Sequence, residues 1–170
     1  MTTFCVCGSR APAGKPYTDV ERGIVKRVLE AFFKPGDRLI QGGCIDVDSW
    51  AMEIGHEMGL FVTTLLPRND KFTNKEAVVE FSHTIVATGL GYHSRDTMEV
   101  SDSDKVIAFP CFERERSSRW SGTWHTWQEG KIQKKDAAVV LLRGLRSDYS
   151  VEGRDAQIAI AALGVQPTLL

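Results

Sequence analysis

The chain lacks any apolar run long enough to cross a bilayer, and it enters Phe4-Cys5-Val6-Cys7 without a basic region or a cleavage site. No membrane partner is expected, and the expected location is cytoplasmic. An excess of positive charge is missing too. The 21 lysines and arginines against 22 aspartates and glutamates give a formal net charge of -1, with a pI near 6.4. Such a balance carries no electrostatic footprint for long duplex nucleic acid. Cysteines number only four. Cys5 and Cys7 fall on one face of a strand, but no second pair stands at ligand spacing, so small core thiols in a reducing compartment are expected rather than a metal site. Internal repeats, low-complexity tracts and linkers are absent, which leaves residues 1–170 as one domain. No cofactor is expected.

What is present is an alternation of strand-like and helix-like segments. Residues 3–7 read as a buried parallel strand ending at Gly8. Residues 19–33 set Val20, Ile24, Val28, Leu29 and Phe32 at helical spacing before Pro35-Gly36 stops the helix. Leu39-Ile40 makes a short second strand. From Asp48, the positions Ala51, Ile54 and Met58 continue as a helix that Gly59 closes. A third buried strand covers 60–66 and a short helix 74–81, while 84–88 fits either a brief strand or a packed linker. A helix over 93–100 leads to a buried strand at 105–109, another helix opens at Ser121-Gly122-Thr123-Trp124, a strand covers 137–142, and an amphipathic helix covers 155–163. Strand and helix in this order predict right-handed crossovers and an α/β domain of three layers around a mainly parallel sheet of about five or more strands.

The polar and glycine-bearing segments follow strands. Gly42-Gly43-Cys44-Ile45-Asp46-Val47-Asp48 joins the second strand to a helix N-terminus, where free N–H groups and the helix dipole favour an anion. The same glycines also serve plain tight turning. After the first strand come Gly8, Ser9 and Arg10, a hydroxyl and a planar fork suited to phosphate or carboxylate. Ser121-Gly122-Thr123 precedes the helix that follows the 105–109 strand. In an open parallel sheet these strand ends lie on one side and line one crevice. Glu99 stands one helical turn beyond Arg95, a spacing that fits a shared catalytic face or a structural ion pair. Trp120, Trp124 and Trp127 share a helix face, which suits a base-stacking wall, a core stripe or a subunit interface. Arg114, Arg116 and Arg119 belong to a charged segment that reads as a solvated loop or as a closure over an anionic ligand.

Taken in order, Gly8-Ser9-Arg10, Gly42-Gly43 with Asp48, Arg95 in Ser94-Arg95-Asp96-Thr97-Met98, Asp104 before a strand and Gly122-Thr123 before a helix resemble the SLOG superfamily. This is the Rossmann-like group that includes the LOG-type cytokinin-activating phosphoribohydrolases and the DprA core, and the resemblance runs from Phe4 to about Leu142. It implies a Rossmann-like domain binding a nucleotide or nucleotide-derived small molecule, with Gly42, Gly43, Gly122 and Thr123 around its phosphates and Cys44, Asp46, Asp48 and Ser121 beside them. It also implies a homodimer or larger homo-oligomer, with the tryptophan stripe and the last helix as interfaces. LOG enzymes place a carboxylate after their Gly-Thr to work with an arginine matching Arg95, whereas Trp124-His125-Thr126 follows Thr123 here. Sensing or sequestration of the ligand is therefore expected first. Cleavage of an N-glycosidic bond is the alternative, with Arg95, His125 and Glu99 as its catalytic residues. Relatives often carry a third glycine where this chain has Asp46, which is suited to repelling a phosphate, capping the helix or gripping a ribose hydroxyl. DprA-like single-stranded DNA binding stands against the acidic pI.

Overall fold

The computed structural model describes residues 1–112 and 121–143. Trp120, the arginines 114, 116 and 119, and the expected helix over 155–163 lie outside the described residues.

Among the described residues, six strands and five helices alternate: β1 (Thr3–Gly8), α1 (Asp19–Phe32), β2 (Arg38–Gln41), α2 (Val47–Glu57), β3 (Phe61–Leu66), α3 (Lys75–Phe81), β4 (Thr84–Ala87), α4 (Tyr92–Ser101), β5 (Lys105–Phe109), α5 (Gly122–Ile132) and β6 (Asp136–Val139). The segment at 84–88, open between strand and linker, is the strand β4. All strand pairs are parallel, in the order β4-β3-β2-β1-β5-β6. The chain leaves β1 in one direction toward β4 and resumes on its other side with β5. That reversal opens a crevice between the carboxyl ends of β1 and β5, where α/β sheets collect ligands.

Alternation along β1 separates two cores. Phe4 and Val6 join Ile24, Val28, Met52 and Ile54 on the α1–α2 side, while Cys7 joins Ala108, Trp124 and Trp127 on the α5 side and Cys5 joins Val100 of α4. Two helix layers on one sheet are the three layers expected from the alternating pattern.

Helix starts are specified locally. Thr18 and Glu21 form a reciprocal capping box at α1. Asn74 accepts from the Ala77 N–H at α3, and Ser121 from the Trp124 N–H at α5. The start of α2 departs from this rule. Asp46 sits there at φ 67° with no side-chain cap bond, and its Oδ2 instead accepts the Ala11 N–H at 2.8 Å. Its carboxylate thus fixes the loop after β1 rather than capping the helix.

Candidate functional site

The floor of the crevice is built by α4 and the first turn of α2. Arg95, Asp96 and Glu99 are all buried on α4. The Arg95 guanidinium meets Asp96 Oδ1 through Nη2 at 2.8 Å and Nε at 2.9 Å, Glu99 Oε1 through Nη1 at 3.3 Å, and the Leu65 carbonyl at 3.2 Å. From α2 comes Asp48, whose Oδ2 accepts the Cys44 N–H at 3.2 Å. Its Oδ1 has no hydrogen-bond partner.

Burial decides the ionisation of this group. It pushes Asp48 up to about 6 although Arg95 and the Cys44 and Gly8 amides favour the charged form. Desolvation likewise raises Glu99 and Asp96 above the usual carboxylate range against the pull of Arg95. Desolvation opposes the charge on Arg95, but Glu99 and Asp96 outweigh it and hold the guanidinium protonated. Cys44 is pushed up to about 12 by burial and then by Asp48, and burial raises Cys7 well above its ordinary value. Neither cavity thiol is a nucleophile at neutral pH.

A pH dependence follows with a definite sign. The folded chain holds the Asp48 proton more tightly than the unfolded chain, so this stability is fully present below about pH 4 and is lost as pH rises through about 6. Glu99 and Asp96 act in the same direction. Glu21 acts oppositely. Burial raises it, but hydrogen bonds from Thr18 and Arg143 bring it down to about 2, so its contribution is lost only on acidification below its unfolded value. Urea denaturation is expected to give a stability higher at pH 5 than at pH 7.5, by about 1.5 kcal/mol from Asp48 alone, and Asp48→Asn is expected to flatten that difference.

The opposite wall is built from β1 and α5. Ser9 Oγ donates to Thr123 Oγ1 at 3.2 Å, joining the loop after β1 to the first turn of α5. Arg10 places its guanidinium over the Phe72 ring, 3.5 Å from the centroid. The loop after β1 is held by the Tyr17 hydroxyl donating to the Ser9 carbonyl at 3.0 Å. Arg143, beyond β6, donates to the Lys15 and Pro16 carbonyls and pairs with Glu21. Between the two walls lies a cavity of about 760 Å³.

No protein-family model and no curated protein sequence matches the chain. Solved structures do. The structural-genomics target TM1055 aligns over 88% of this chain and 77% of its own, at 19% identity and a TM-score of 0.59. The molybdenum cofactor carrier protein from Chlamydomonas reinhardtii aligns over 96% of both chains, at 19% identity and 0.59. DNA processing protein A from Helicobacter pylori, whose structure describes its single-stranded DNA binding mode, aligns over 97% of this chain and 74% of its own, at 15% identity and 0.59. The chain has the Rossmann-like fold of these structures.

On this Rossmann-like scaffold, most of the expected residues meet. Gly8, Ser9, Arg10, Cys44, Asp48, Arg95, Glu99, Ser121, Gly122 and Thr123 line the one cavity. Four others do not line it. Gly42 is buried under Arg95: a Cβ there would stand 1.7 Å from Nη1. Gly43 has φ +72° and packs against Thr64 and Val78. Gly42 thus makes room for a guanidinium of the chain itself, and Gly43 for the side chains of Thr64, Val78 and Leu66. Asp46 is engaged by Ala11, as described. His125 stacks on His93 at 4.4 Å between ring centroids, and its Nε2 lies 3.2 Å from the His93 carbonyl, so its ring packs against α4 instead of lining the cavity.

Trp124 and Trp127 also depart from two of their three readings. Both are under 4% exposed and pack edge to face inside the α5 core, so they form neither a base-stacking wall nor an interface. Asp96 and Phe72 are among the lining residues that went unassigned from sequence. Asp96 is adjacent to Arg95, a spacing at which helical side chains ordinarily diverge, and Phe72 follows a polar turn with no pattern of its own.

Proposed function

We propose that the chain binds a nucleotide-derived small molecule, for sensing or sequestration, in the cavity at the carboxyl ends of β1 and β5. The observation that carries this reading is the convergence of Ser9 and Arg10 with the N-terminus of α5 on a cavity of about 760 Å³. That volume is within the range of small-molecule and cofactor sites. The N-terminal turn of α5 and the Arg10 fork supply the wall that suits an anionic end. The solved neighbours agree in kind: one carries a molybdenum cofactor and one binds single-stranded DNA.

Calorimetry of the full chain against AMP, ADP-ribose, cyclic ADP-ribose forms and cyclic dinucleotides is expected to give saturable binding by at least one. Arg10→Ala is expected to weaken it about tenfold, the loss of one charge-assisted pair. Silence across the panel from folded protein overturns the reading.

N-glycosidic cleavage remains as a second reading because of Glu99. It lines the cavity, is 1% exposed, and burial raises it well above the usual carboxylate range, the direction that suits a general acid for a leaving base. The same incubations, followed for free base by chromatography, separate binding from cleavage.

A further inference from the structure

The cavity floor holds more buried acid than buried base. Asp48, Asp96 and Glu99 surround one buried guanidinium, Arg95. Asp96 and Glu99 take its ion pairs and the Leu65 carbonyl takes a further hydrogen bond. Asp48 is 4% exposed; the Cys44 amide bonds its Oδ2 and the Gly8 amide acts on the carboxylate, while Oδ1 has no hydrogen bond of normal geometry. A buried carboxylate oxygen without a donor is costly in a folded protein, and such groups mark places where a partner belongs.

We infer that this floor is a subsite for an organic cation, the protonated amine, amidine or ring nitrogen at one end of the ligand, which donates to Asp48 Oδ1 and balances the surplus of carboxylates. Two observations define the class. The occupant is a hydrogen-bond donor, because the unpartnered atom is an acceptor. It is organic, because among the described residues no three His, Cys, Asp or Glu side chains are grouped as metal ligands.

Arg95 accordingly takes a different part from a phosphate binder: its charge is consumed inside the cluster, and an anion approaching the floor meets net negative charge. The anionic end belongs at the opposite wall, with Ser9, Arg10 and the α5 N-terminus, so the ligand lies across the cavity with its charges separated. This orientation rests on the nucleotide reading; the cation subsite itself rests on Asp48 and its neighbours.

Protons compete with the cation for this floor. The groups acting on Asp48 are Arg95, Asp96 and Glu99 from α4, Cys7 and Cys5 from β1 and Cys44 from the preceding loop, with His93 and His125 acting on Asp96 in turn. Both cavity thiols are neutral, leaving the carboxylates to titrate. Asp48, pushed up to about 6 by burial, opens to a cation as pH rises through that value.

Benzamidine and benzamide test the subsite, being matched in shape and differing in charge. Titration of the full chain by NMR at pH 7.5 is expected to show benzamidine binding about tenfold more tightly than benzamide. The preference is expected to shrink at pH 5 and to fall within about twofold in Asp48→Asn or Glu99→Gln, with thermal melts reporting that the variants fold. Equal binding by the wild-type chain, a preference for benzamide, no binding of either at millimolar concentration, or a preference unchanged by pH each overturns the subsite. Because the charge comparison is made on the wild-type chain, an unfolded variant leaves it decisive. If benzamidine is preferred while every nucleotide is silent, the subsite stands and the nucleotide reading falls. If a nucleotide binds and benzamidine is not preferred, the reverse holds.

Discussion

Replacing Arg95 by alanine is expected to cost about 3–5 kcal/mol of stability at pH 7.5, because it leaves Asp48, Asp96 and Glu99 buried without the only buried cation among the described residues. The loss exceeds the worth of the ion pairs themselves. Much of it is the penalty of carboxylates that can neither reach water nor find a donor. For that reason it is expected to shrink at pH 5, where the three side chains, already raised by burial and now raised further, take up protons in the folded state. Urea titrations at the two pH values measure both quantities. A loss below about 1 kcal/mol, the scale of an exposed pair, or one that does not diminish on acidification, would mean that the guanidinium does not balance this group.

The second large effect is expected at Gly42. An alanine Cβ would stand 1.7 Å from Arg95 Nη1 and 2.4 Å from Cζ, and the guanidinium is held on its other sides by Asp96, Glu99 and the Leu65 carbonyl. It has no unstrained position to move to. Gly42→Ala is therefore expected to destabilise by about 3 kcal/mol or more, overpacking added to a broken buried pair. A double-mutant cycle isolates the cause: in an Arg95→Ala background the same glycine substitution is expected to cost little. Additive losses would place the damage elsewhere in the turn.

The architecture was legible because its signals are local and repeated. The helical spacing of Ile24, Val28 and Leu29, the apolar run before Pro67 and the strand before Pro110 each report burial directly, and their alternation dictates a parallel sheet. β4 was ambiguous because it is a short edge strand with little of its surface buried, so burial left almost no pattern in it. The site was legible as a place: Ser9, Arg95 and Thr123 follow or precede the right elements, and the sheet brings them to one edge.

Its chemistry was hidden for a different reason. A glycine pair before a helix reads as room for phosphate, yet the group packed against Gly42 is Arg95, more than fifty residues later, and no spacing rule relates the two. The same holds for Asp96 and Asp48. Their joint effect is a charge balance in three dimensions, and neither residue announces it alone. His125 was misplaced on a simple geometric point: it occupies the fourth position of α5, which turns it toward α4 and onto His93.

The tie between Arg143 and the loop after β1 bears on when the protein becomes competent. Arg143 holds the Lys15 and Pro16 carbonyls and Glu21 from more than 120 positions away. Strands β1 to β4 can assemble with that loop held only by Asp46 and Tyr17, and the Arg143 tie is added after β6 has docked. The loop that lines the cavity is thereby tied by a residue beyond the last described strand, so that side of the cavity takes its final form only once all six described strands have assembled.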